Sequence, residues 1–191
     1  MKKLFILALA LGFSTALFAQ DNSALLINNP GLKKALASAK VKLEKTGRLD
    51  QKSRDELAAG FERIRMKQIL FSRHPEFIKL DLENQLSKTE AAVVVQSVRK
   101  SADELLEAVK AAQEKAAALK AAQGEEAIAA ATKTAEDEAL RLGRQYSELI
   151  ELLKMFPVIN LKAISEIRQE VRGQAYDYLV SPKEAKRSIQ E

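Results

Sequence analysis

Two long apolar seams constrain what this chain can fold into. Ala91, Val95, Val98, Ala102, Leu105, Val109, Ala112, Ala116 and Leu119 are separated by alternating steps of four and three residues. After Gly124 the alternation resumes with Ile128, Thr132, Ala135, Ala139, Leu142, Tyr146, Leu149, Leu153 and Phe156. Such spacing keeps one stripe of an α-helix facing one partner, as in a coiled coil. The two seams are out of phase, because extending the first would select Gln123, Glu126 and Ala130 rather than Ile128. A continuous helix would therefore swing its stripe to a new side at Gly124. A reversal at Gln123-Gly124-Glu125 lets the two stripes face each other instead. The expected fold is all-α, with a long antiparallel coiled-coil hairpin whose arms span about 88–123 and 125–156. A single long helix, bent at Gly124 and paired with a second copy, is the competing arrangement.

The seam weakens towards the reversal. Between about 112 and 136 it is mostly alanine, and a buried methyl contributes only about 0.8 kcal/mol against about 1.5–3 kcal/mol for leucine or isoleucine. Leu119 and Ile128 are the one larger pair there. This stretch is expected to project as a weakly held tip, with Lys115, Lys120, Gln123, Gly124, Glu125, Glu126 and Lys133 as its candidate interaction residues.

Shorter helices build the base of the bundle. Asn29 and Pro30 read as a cap and a first-turn proline, followed by the stripe Leu32, Leu36, Ala39 and Leu43 and by a stop at Gly47. Lys33, Lys34, Lys40, Lys42 and Lys45 form a candidate basic face on this helix. Asp50 caps a second helix over 51–73, with Leu57, Phe61, Ile64, Gln68 and Phe71 inward. Ile78, Leu80 and Leu82 alternate like a short strand, but no second strand is visible to pair with them, so a short helix or connector is expected. Ser87 or Thr89 starts the first long arm. Asn160 is expected to cap a last helix bearing Leu161, Ile164, Ile167, Val171, Ala175 and Tyr178, ended by Ser181-Pro182. The core is expected from Phe61, Ile64, Phe71, Val98, Leu105, Leu142, Leu149, Leu153, Ile164, Ile167 and Val171. Residues 30–180 would form one helical domain, and 181–191 a mobile tail or short frayed helix.

The first nineteen residues read as an address. Lys2 and Lys3 precede an uncharged apolar run, and small residues lead to Ala19-Gln20. This is the pattern of a secretory signal peptide, cut after Ala19 or after Ala16. The stretch from Leu4 to Ala19 falls short of the roughly 18–20 residues that span a bilayer. Residues 20–29 are polar and expected to be flexible. Loss of Lys2 and Lys3 lowers the formal charge from +5 to +3. The charge left is uneven. Residues 30–75 carry twelve Lys/Arg against five Asp/Glu, and 124–156 carry four against seven. Periplasmic localisation is expected, with an extracellular or outer-surface location as the alternative.

Much chemistry is missing from the inventory. There is no cysteine and one histidine, His74, so neither thiol chemistry nor an ordinary zinc site can be assembled. No glycine-rich phosphate loop or nucleophile elbow occurs, and no catalytic residue, metal or cofactor is expected. Aromatics at 5% provide no obvious stacking platform, and nucleic acid is not an expected partner. The basic helix over 30–46 allows weak contact with a membrane surface, although it lacks aromatic anchors. The leading expectation is a non-enzymatic cell-envelope protein whose hairpin contacts another envelope protein or a second copy. In composition and expected shape the chain is also similar to periplasmic holding chaperones with projecting helical arms. No motif carries that resemblance. It implies a chaperone or carrier shielding apolar clients or lipid.

Overall fold

The computed structural model describes residues 30–122 and 126–191, all within an all-α architecture with no strand among them. The signal peptide and its cleavage site, the segment 20–29, the Asn29 cap and the reversal at Gln123-Gly124-Glu125 lie outside the described residues. The chain divides into two compact units, one ending at Gln68 and the other beginning at Ile69.

The first unit is built by α1 (Pro30–Thr46) and most of α2 (Gln51–Arg73). Gly47 ends α1 at φ 68°, a left-handed conformation that costs glycine nothing. Its amide closes the last turn on the Leu43 carbonyl at 3.0 Å. Asp50 caps α2 as expected, accepting from the Ser53 amide at 2.9 Å. Leu32, Ala39, Leu49, Leu57, Phe61 and Ile64 form the buried cluster, with Leu36 and Leu43 partly buried against it. Phe61 and Ile64, expected in the core, are buried in this cluster. Beyond Ile64 the buried stripe of α2 advances in threes through Lys67 to Leu70. Gln68 and Phe71, the expected positions, are only half-buried.

In the second unit the two seams make the central pair. α3 (Lys88–Ala122) and α4 (Glu126–Leu153) pack along each other as the antiparallel hairpin, the most extensive helix contact of this unit among the described residues. Glu104 of α3 acts electrostatically on Arg141 of α4. Ser97, Lys100 and Glu104 share a cleft with Arg141, Arg144 and Glu148. Later positions on one helix thus meet earlier ones on the other, and the continuous bent helix is excluded. Ser87 rather than Thr89 starts α3. Its hydroxyl accepts from the Glu90 amide at 3.3 Å, while Glu90 accepts from the Ser87 amide at 2.9 Å, a reciprocal capping box.

The seam is buried at Val98, Ala102, Leu105, Val109 and Ala112 of α3, and at Thr132, Ala135, Ala139, Tyr146 and Leu149 of α4. Thr132 returns its hydroxyl to the Ile128 carbonyl at 2.8 Å, which satisfies that polar group within the seam. Two positions depart from the spacing. Val94 is buried where Val95 is half-buried, and Gly143 is buried where Leu142 is half-buried.

Short elements close the base of this unit. The segment 75–86 is a connector, as expected, with a 3-10 turn at Pro75–Phe77 and with Phe77 and Leu82 fully buried. After α4 comes a second turn, Pro157–Asn160, so Asn160 ends that turn and does not cap the next helix. α5 (Lys162–Gln174) packs on α3 through Ile164, Ile167 and Val171. It stops earlier than the spacing predicts, because Ala175 leaves helical geometry at φ −127° and Tyr176–Tyr178 forms a 3-10 turn. Ser181-Pro182 does not end a helix but starts α6 (Pro182–Gln190). The Ser181 hydroxyl accepts from the Glu184 amide at 3.3 Å, and Glu184 accepts from the Ser181 amide at 2.9 Å. α6 packs on α4 with Ala185 and Ile189 buried, so the segment expected to be a mobile tail or a short frayed helix is a capped, docked helix.

Candidate functional site

The hairpin tip is the first candidate, and the local packing explains its character. Beyond Ala112 on α3, and before Thr132 on α4, no described residue is fully buried. Ala116, Leu119 and Ile128 stay half-buried, so the one large pair seals the seam only in part. Lys115, Lys120, Glu126 and Lys133 are exposed. Antiparallel packing brings these four to the same end of the hairpin. Gln123, Gly124 and Glu125 fall outside the described residues. The tip thus offers a narrow apolar strip flanked by charges of both signs, with Glu114, Glu126 and Glu136 exposed beside the three lysines.

The basic face of α1 is split by its contacts. Lys33, Lys34, Lys40 and Lys45 are exposed, and Lys40 approaches Glu44 at 3.9 Å. Lys42 is half-buried and turned to structural use. Its ammonium donates to Asp50 at 2.8 Å and to Ser53 at 2.8 Å, tying α1 to the start of α2. The Lys42 hydrogen bond, with those from Ser53, holds the Asp50 carboxyl below the ordinary carboxylate range.

A polar cleft of about 920 Å3 surrounds the single histidine. His74 stacks on Phe77 with ring centroids 5.5 Å apart, and its Nδ1 lies 3.4 Å from Glu76. Burial pushes the imidazole pKa down, and Glu76 offsets this only in part. Ser97 donates to the same Glu76 oxygen at 2.5 Å. Serine and histidine therefore share one carboxylate, and neither activates the other as a nucleophile–base pair would require. Beside them, buried Glu148 accepts from Arg73 and, at 2.6 Å, from Ser188. This cluster joins the end of α2, α4 and α6 and reads as a structural clasp. No group of three or more His, Cys, Asp or Glu able to hold a metal occurs among the described residues. None of the described helices is long and apolar enough to cross a membrane.

A second cleft, also about 920 Å3, was not legible from periodicity. It is bounded by α4, α5, the Tyr176–Tyr178 turn and the start of α6. Tyr146 and Glu151 line it from α4, and Arg168 and Arg172 line it one turn apart from α5. The Tyr146 hydroxyl and Glu151 Oε2 are buried and lack a hydrogen-bond partner among the described residues. The only sequence trace of this site is the Arg168–Arg172 spacing, which any solvated helix face can show.

No family model matches the chain, and no curated protein or solved structure shows significant similarity to it.

Proposed function

We propose that this chain is a non-enzymatic, exported protein of the cell envelope that uses its hairpin tip to contact another protein. The observation that carries this reading is the incomplete closure of the seam at the tip. Ala116, Leu119 and Ile128 remain half-buried beside exposed Lys115, Lys120 and Lys133, whereas the same seam is sealed from Val98 to Ala112. A partner that covered the strip would gain apolar burial, and the flanking charges of both signs would select a complementary charged rim on it. The leader of Lys2, Lys3 and an apolar run supports export.

The test is site-specific photo-crosslinking in intact cells, from Lys120 at the tip and from exposed Lys162 at the base. A discrete adduct from Lys120 and none from Lys162 is expected. A chain lacking residues 112–136 should keep the helical signal of its remaining residues while losing that adduct. An adduct pattern that ignores the tip, or collapse of the whole fold on deletion, would overturn the reading.

A further inference from the structure

The cleft between α4 and α5 gathers polar groups that the fold itself leaves unmatched. Glu151 is only 7% exposed; Lys154 holds its Oε1, and no described residue holds Oε2. Tyr146 is 3% exposed, with its hydroxyl unpartnered. Burial pushes the phenol pKa up to about 12, so the group stays neutral and can donate or accept. Arg168 is half-buried and forms no ion pair among the described residues, whereas Arg73, Arg99 and Arg141 each hold a carboxylate. Buried polar atoms in folded proteins are almost always paired. Both residues border one cleft, and that coincidence points to a ligand.

The chemistry of the cleft selects the class. Lys154, Arg168 and Arg172 are matched in number by Glu151, Asp177 and Glu184, so neither a simple anion nor a simple cation gains a net field. A molecule bearing both signs does. Guanidinium forks suit a carboxylate, and the free Glu151 oxygen suits a cationic N–H. Tyr176, 66% exposed at the mouth, adds an apolar ring for an aliphatic body. We propose that this cleft binds a zwitterionic ligand of the amino-acid type, free or as a short peptide, with its carboxylate on Arg168 and Arg172 and its amino group on Glu151. The two orphan atoms are shut from bulk solvent, so side chains at the mouth part as the ligand enters. This site is separate from the tip and stands or falls independently of it.

Calorimetric titration of the full chain with L-alanine and with trialanine tests the proposal and distinguishes the free amino acid from a peptide. Binding of at least one is expected. Acetylating its amino end, or amidating its carboxyl end, should each weaken binding about ten-fold or more, the scale of a lost charge-assisted hydrogen bond. Glu151→Gln should abolish the discrimination against the acetylated probe alone, and Arg168→Gln that against the amidated probe alone. The blocked probes keep the test decisive even if a variant misfolds, since they are read on the unaltered chain. No binding at millimolar concentration, equal binding of blocked and free probes, or equally tight binding of inorganic phosphate would each overturn it.

Discussion

Replacing Gly143 with alanine puts the packing of the C-terminal elements to a quantitative test. Gly143 lies inside α4, where alanine is favoured over glycine by about 0.8–1.0 kcal/mol on helix propensity alone. A Cβ at this position would stand 1.9 Å from the Tyr178 carbonyl oxygen and 2.8 Å from its carbon. Carbon–oxygen contacts of this kind relax near 3.3–3.6 Å, so the Tyr176–Tyr178 turn must retreat by about 1.5 Å. The obstacle is backbone, which cannot rotate aside, and overpacking of a filled interior costs about 1–3 kcal/mol, occasionally more. Taking the upper end and subtracting the propensity gain leaves a net loss of about 2 kcal/mol. In a chain of this size that lowers Tm by about 4–8 °C. Gly173, with nothing within 4 Å of the added atom, is the control: Gly173→Ala should raise stability by about 0.5–1 kcal/mol. Thermal unfolding followed by circular dichroism reads both, and amide exchange should quicken over 176–190 in G143A alone. A G143A chain as stable as the unaltered protein would refute the account of how the turn is seated.

Other outcomes follow from single contacts. Ser87→Ala should cost about 1 kcal/mol through the lost cap of α3, whereas Thr89→Ala should be near neutral, and urea midpoints separate the two. Glu148→Ala removes the acceptor shared by Arg73 and Ser188; because Arg73 is substantially exposed, the cost should be about 1–3 kcal/mol rather than the larger penalty of a fully buried pair. Since burial lowers the His74 pKa in the folded state, its neutral form is favoured there. Its stability contribution is therefore full above the unfolded value of about 6.5 and is lost as pH falls below that and through the lowered folded value. Urea midpoints at pH 8 and pH 5 should consequently drop further in the unaltered chain than in His74→Gln.

Legibility followed the range of the interactions. The 4-3 alternation marked Val98, Ala102, Leu105, Val109 and Ala112, and all are buried, because both periodicity and burial there depend on one long neighbour. Gly143 was unreadable. It is buried in place of Leu142 because the Tyr176–Tyr178 turn, thirty-odd residues away in the chain, comes to rest on it. Leu70 displaced Phe71 for a related reason: the buried stripe drifts in threes after Ile64, a change that residue types alone do not mark. The start of α6 was in plain view. Ser181-Pro182-Lys183-Glu184 carries the capping-box spacing with proline at the first helical position, yet the same serine and proline equally suit a helix end. The Tyr146–Glu151 cleft left almost no trace, because an unpaired buried atom exists only relative to what fails to reach it.

The amino-acid order alone determined that the chain is helical, where most helices begin, and that two long apolar stripes on either side of residue 124 must be covered. These follow from local spacing, because a helix repeats every few residues and its apolar face must leave water. Tertiary structure decided that Phe61 and Ile64 serve the first unit, that α6 docks on α4, and that Lys42 and Glu148 are committed to contacts between elements of the fold. Apolar attraction has no direction and little memory of chain distance. A stripe therefore announces that it will be covered, while only three-dimensional packing settles what covers it.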